Sequence, residues 1–148
     1  MLFLTKEILQ EIINLCQAEY PKEACGILTG REGRVSKVYK MTNISENPET
    51  CYFMEPKDQL KVFKELRNWE IEMIGIYHSH TGTPAYPSPR DCEMAFYPES
   101  SYVIVSLQDF NNPYVRAFKI IENKIEKEII AIIDYLRNIK DVESEKYV

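Results

Sequence analysis

The chain has only two histidines, and they stand two apart as His78-Ser79-His80. On a strand, residues i and i+2 point to the same face roughly 6 to 7 Å apart, so both imidazoles can converge on one ion with metal–nitrogen bonds of about 2.0 to 2.1 Å. A facing pair of neutral imidazoles favours zinc. The first carboxylate downstream is Asp91, which would complete a shell of two histidines and one carboxylate with water as the fourth ligand. The residues between them include Gly82, Pro84 and Pro87, suited to turning the chain back. Neighbouring residues have ordinary readings beside the chemical one. Ser88 and Asp91 also spell a helix capping box. Cys92 is either a soft extra ligand or a small core residue, and Glu23 also fits a solvated carboxylate at a strand start.

These side chains need a strand to aim the histidines and a helix start to present Asp91. The run Ile71–His80 is apolar, of strand length, and ends abruptly in the two histidines. Ser88-Pro89-Arg90-Asp91 offers a cap, a proline at the first helical position and an acid three residues after the cap, so a short helix is expected through Met94 and Phe96. Upstream, Ile8, Leu9, Ile12, Ile13 and Cys16 recur at helical spacing, with Thr5 as N-cap and an end near Ala18 before Pro21. The segments ACGILTG and VSKVYKM, joined through REGR, read as a hairpin. TNISENPETCYF reads as a surface loop, followed by a helix entered at Pro56 with Leu60, Phe63, Leu66 and Trp69 on its apolar face. YVIVSL and VRAFKII are two further strands. Beyond Asn123 the stripe Ile125, Ile129, Ile132, Ile133, Leu136 and Ile139 suits a helix, while residues 125–130 equally suit a strand paired with the one before. The expected fold is α/β: one domain over residues 1–140, a mixed sheet of about five strands with two or three helices, and a polar tail over 141–148.

Composition narrows the partners. With 18 Lys+Arg against 23 Asp+Glu the net charge is −5, so no global cationic field exists to hold nucleic acid or an anionic membrane. No apolar run approaches the roughly 18 to 20 residues of a spanning helix, and the N-terminus lacks the pattern of a signal peptide. Cys16, Cys25, Cys51 and Cys92 contain no C-x-x-C pair, which suits neither a disulfide scaffold nor a cysteine zinc cage. A cytoplasmic protein is expected, and the sequence leaves a homodimer open.

The spacing His78-x-His80, seven residues, Ser88, two residues, Asp91 resembles the JAMM motif of the JAMM/MPN+ metallopeptidases at every defining position. Pro21–Gly30 resembles that family's upstream glutamate segment, and residues 43–56 resemble the loop leading into its second helix, so the similarity covers roughly residues 3 to 121. Thr81 departs from the proline that many relatives carry after the second histidine. The resemblance implies a cytidine deaminase-like α/β fold, although the P-C-x-x-C of the deaminases themselves is missing. It further implies that His78, His80 and Asp91 bind Zn²⁺, that Glu23 is the general acid/base, and that Ser88 hydrogen-bonds the oxyanion. The P-x-E-A-C-G stretch is closest to the compact prokaryotic type. For those members the implied reaction is cleavage after the C-terminal Gly-Gly of a ubiquitin-like sulfur carrier, freeing a cysteine, an extension or a conjugated protein. Two other functions stand beside it: a binding-only scaffold like the MPN relatives that have lost metal ligands, which this chain retains, and a hydrolase of small amides that uses the same zinc site.

Overall fold

A computed structural model describes residues 1–67 and 70–134. In chain order the elements are β1 (Leu2–Thr5), α1 (Lys6–Glu19), β2 (Cys25–Arg31), β3 (Arg34–Met41), α2 (Pro56–Leu66), β4 (Glu72–His80), α3 (Pro89–Glu93), β5 (Ser101–Ser106), β6 (Tyr114–Ile121), β7 (Lys124–Glu128) and β8 (Ile130–Ile133). Thr5 caps α1 as expected, its Oγ1 accepting from the Ile8 N–H at 3.1 Å. Glu32 and Gly33, at φ 53° and 76°, form the two-residue left-handed turn that joins β2 to β3 with the twist a hairpin needs.

Among the described residues the sheet has eight strands in the order β7-β6-β5-β4-β2-β3-β1-β8, not the five or so expected. The three additions are β1, β7 and β8. β1 is only four residues long and runs directly into a helix cap, too short to show a period. The ambiguous segment resolves as strand: residues 124–128 return antiparallel along β6 through Glu122 and Asn123, both at positive φ. Ile130–Ile133 then pair in parallel with Leu2–Thr5, a contact between chain ends that no local pattern encodes. The remainder of the helical alternative, Leu136 and Ile139, and the 141–148 tail lie outside the described residues.

Only Ile129 separates β7 from β8, so the two ends of the strand order are drawn together and the sheet curls around α1. Its inner face packs Leu2, Leu4, Leu28, Tyr77, Val103, Val105 and Ala117 against Ile12 and Cys16 of the helix. Each fully buried leucine there contributes about 1.5 to 3 kcal/mol. The outer face packs Cys25, Ile27, Ile76, Tyr102, Ile104 and Phe118 beneath α2 and the loops. On α2 the buried residue is Val62, while Leu60 is 49% exposed. The apolar stripe read from the sequence was therefore partly right: Leu66 faces the sheet as expected, together with Val62 one turn before it, while Leu60 does not, and Trp69 lies outside the described residues.

β4 lies inside the sheet, antiparallel to β2 and parallel to β5. Strand alternation sends Tyr77 and Ser79 inward and leaves Ile76, His78 and His80 on the outer face. Among the described residues no helix is long and apolar enough to cross a membrane.

All four cysteines are free. Burial pushes the Cys16 and Cys25 thiols up to about 12, so at pH 8 each is about one part in ten thousand thiolate. Native protein treated with iodoacetamide at pH 8 should therefore be modified at Cys51, which is part-exposed, and be spared at Cys16 and Cys25 until denatured. Peptide mapping checks this, and equal labelling of all four thiols would contradict the packing around α1.

Candidate metal centre

Three ligand atoms meet where β4 ends. His78 Nε2 and His80 Nε2 are 3.1 Å apart, and Asp91 Oδ2 lies 3.3 Å from the first and 3.0 Å from the second. All three residues are buried. Donors on a tetrahedral ion with bonds of about 2.0 to 2.1 Å are spaced by about 3.3 Å, so the triangle has the size of one face of such a shell.

Local structure accounts for each corner. The two rings share a face because they are i and i+2 on β4. The His80 carbonyl also accepts from the Leu107 N–H at 2.9 Å, fixing the strand end. His80 Nδ1 is 2.8 Å from the Pro84 carbonyl, and donation there leaves Nε2 as the bare nitrogen of the neutral ring. Tyr52 stacks on His78 at 4.6 Å between ring centroids. The returning loop is pinned twice: the Ser106 hydroxyl donates to Thr83 O at 2.7 Å, and the Ala85 N–H donates to the Tyr114 hydroxyl at 3.2 Å. It delivers α3 with its capping box formed. Ser88 Oγ accepts from Asp91 N–H at 3.1 Å, and Ser88 N–H donates to Asp91 Oδ2 at 2.8 Å, the same oxygen that faces both histidines.

Electrostatics follow from the geometry. Burial holds His78 below its ordinary value and so keeps it neutral, against the pull of Asp91. For His80, burial again opposes charge, but Asp91, the Pro84 carbonyl and Glu23 outweigh it and raise the ring. Burial would raise the Asp91 carboxyl, yet the histidines and the Ser88 N–H hold it well below the usual carboxylate range. Three electron-pair donors therefore point at one small volume, an arrangement that fits a metal ion. Two further atoms here are buried without a partner: Glu23 Oε1 and His78 Nδ1. Burial pushes Glu23 up to about 8, with His80 lowering and Asp91 raising it, so its charge interacts with the centre directly.

Of the residues singled out from sequence, His78, His80 and Asp91 form the triangle, Glu23 lies within their field and Ser88 is bonded to Asp91. Cys92 joins the outer core instead and is no part of the ligand cluster. Three supporting residues had not been singled out, Asn43, Tyr52 and Ser79, and Pro84 had been read only as a turn former. Ser79 had a visible signal, since alternation between two site histidines turns it inward. There its Oγ accepts from the Ala24 N–H at 2.8 Å while its own N–H donates to Ala24 O at 3.1 Å, fastening the Glu23–Ala24 segment to β4. Tyr52 sits in an aperiodic loop and carried no signal.

With the site in view, residues 5–121 match the family model described as prokaryotic homologs of the JAB domain. The chain belongs to this family. The match agrees with the JAMM/MPN+ resemblance carried by the His-x-His, Ser and Asp spacing. The chain is 32% identical over 136 residues, 90% of its length and 92% of the relative's, to the CysO-cysteine peptidase of Mycobacterium tuberculosis. It is 35% identical over 124 residues, covering 84% of this chain and 79% of the other, to a probable TtuB-protein conjugate cleaving protease of Thermus thermophilus. The solution structure of a protein from Desulfitobacterium hafniense superposes with a TM-score of 0.81 at 35% identity, over 92% of this chain and 95% of that one.

In this JAB-family domain, Ser79→Ala would leave the buried Ala24 N–H without its side-chain acceptor, at a cost of about 1 to 3 kcal/mol. Urea unfolding should show a lowered midpoint at unchanged slope. A wild-type midpoint would mean that this bond does not fasten the segment.

Proposed function

We propose that this protein is a zinc metallopeptidase that hydrolyses the amide bond after the C-terminal Gly-Gly of a ubiquitin-like sulfur carrier. One observation carries the reading: three buried donors 3.0 to 3.3 Å apart, with the buried Glu23 Oε1 unpartnered in their field. The two peptidase relatives, one acting on a carrier–cysteine adduct and the other on protein conjugates by their names, support the substrate class and leave both adducts open.

His78, His80 and Asp91 would hold the ion, two neutral nitrogens and one carboxylate oxygen being a donor set used for catalytic zinc. When bound, zinc supplies Lewis-acid polarisation of the scissile carbonyl and lowers the pKa of water from 15.7 toward about 7. The chain's residues perform the remaining steps. Glu23, raised to about 8 by burial, is in its ionised form basic enough to take a proton from the attacking water and then to deliver it to the leaving amine. The Ser88 oxygen accepts from Asp91 N–H, which leaves the hydroxyl hydrogen to donate to the carbonyl oxygen as negative charge develops there. An extended Gly-Gly tail suits entry by strand-like pairing, because glycine needs least width.

The complete donor set favours catalysis over a binding-only scaffold. Glu23→Gln should keep stoichiometric zinc and lose at least about 100-fold in kcat on a Gly-Gly-Cys-extended carrier. His80→Ala should lose the metal itself. Retained turnover in the Glu23 variant, or full activity after exhaustive chelation, would overturn the proposal.

Ser88→Ala should cut kcat by about 100- to 1,000-fold with zinc retained. The same variant should lower stability by about 1 kcal/mol through loss of the cap. Stopped-flow kinetics and metal analysis separate the two effects, and a variant with lost zinc and unchanged kcat per zinc would reassign Ser88 to holding Asp91 alone.

A further inference from the structure

Glu23 precedes β2, which begins at Cys25, so no ladder hydrogen bond of the sheet sets its position. Both of its backbone groups are held instead by the loop over residues 42–55. The Glu23 N–H donates to Pro48 O at 2.7 Å, and the Glu23 carbonyl accepts from Asn43 Nδ2 at 2.9 Å. Asn43 is the hub of that loop. Its Nδ2 also faces Cys51 O at 3.1 Å and Pro48 O at 3.4 Å, while its Oδ1 accepts from the N–H groups of Ser45 and Phe53, each at 3.0 Å. Three carbonyls on one side and two N–H groups on the other admit one orientation of the amide, and an amide alone satisfies both sides.

The middle of the loop is fastened too, next to Pro48. Thr81 donates its hydroxyl to Glu49 O at 3.0 Å, tying the loop to the residue after His80. A closed path thus runs from Glu23 through Asn43 and the loop to Glu49, Thr81 and the metal-ligand strand. Tyr52, which stacks on His78, belongs to the same loop.

We propose that Asn43 is a positioning residue for Glu23: its amide makes the 42–55 loop a rigid brace that sets where the Glu23 carboxyl stands relative to the His78–His80–Asp91 triangle. This rests on the reading of Glu23 as the proton carrier. Asn43 touches neither metal ligand nor reacting bond; besides Glu23 it holds the backbone on both sides of Tyr52, which stacks on His78, and zinc stoichiometry together with the Glu23→Gln background tells the Glu23 route from that one. A displacement of about 1 Å in a reacting group can cost about 100-fold in rate. Asn43→Asp keeps the shape and both accepted bonds but turns an oxygen toward three carbonyls.

The test is a double-mutant cycle on zinc-loaded protein. Single-turnover cleavage of a ubiquitin-like carrier extended by one cysteine after Gly-Gly is measured for wild type, Asn43→Asp, Glu23→Gln and the pair. Asn43→Asp should lower kcat about 10- to 100-fold, with KM within about threefold and zinc stoichiometry unchanged. In the Glu23→Gln background the same change should cost less than about twofold, because the group it positions is gone. Thr81→Val, which frees the brace at Glu49 and leaves the hub intact, should show the same pattern with a smaller loss, and carries the cycle if Asn43→Asp does not fold. An equal loss in both backgrounds, or none in the wild-type background, would overturn the positioning role. Full turnover of Glu23→Gln alone would instead overturn the assignment of Glu23, so the two failures are told apart.

Discussion

Two buried imidazole nitrogens and a carboxylate oxygen are held within 3.0 to 3.3 Å of one another, and this crowding is the constraint around which the domain is arranged. Bare acceptor atoms repel when brought together out of water, so the fold has to oppose that repulsion. It does so with backbone. β4 is paired on both sides within the sheet, the returning loop is bonded to β5 and β6, and α3 delivers its aspartate with the capping box already closed. A cation in the triangle would replace repulsion by coordination, so the stability given up to form the site becomes metal affinity.

Around that core sits a second layer of hydrogen bonds that fixes the His80 tautomer and the backbone that carries Glu23 rather than the ion. The Pro84 carbonyl selects the nitrogen His80 presents, Ser79 ties the Glu23–Ala24 segment to the histidine strand, and Asn43 ties the same segment to the facing loop. Glu23 is thereby gripped from two directions while its Oε1 stays unpartnered. That is the combination proton transfer asks for: an immobile backbone and a carboxyl kept basic by burial.

The inner and outer faces of the sheet divide the labour. The inner face wraps α1 with aliphatic residues and supplies stability, whereas the outer face gives up apolar contacts at His78 and His80 for chemistry. Ser79 belongs to both, since it faces the inner core yet holds the segment that carries Glu23.

Much of the site was legible in the sequence because its elements are local. The period of a strand alone places His78 and His80 on one face, and Ser88-Pro89 with Asp91 spells the start of a helix. Less of the surroundings was legible. β1 is too short to show a pattern, residues 124–133 suit two periods equally, and the apolar face assigned to α2 was right at Leu66 but took Leu60 in place of Val62. The sequence by itself determined which atoms could bind a metal and on which elements they ride, since capping and alternation act over a few residues. Tertiary structure alone decided that Asp91 folds back onto the histidines, that the last strand pairs with the first, and that Asn43 and Ser79 grip the Glu23 segment. Those are contacts between distant parts of the chain, settled by how whole faces pack rather than by any residue's neighbours in sequence.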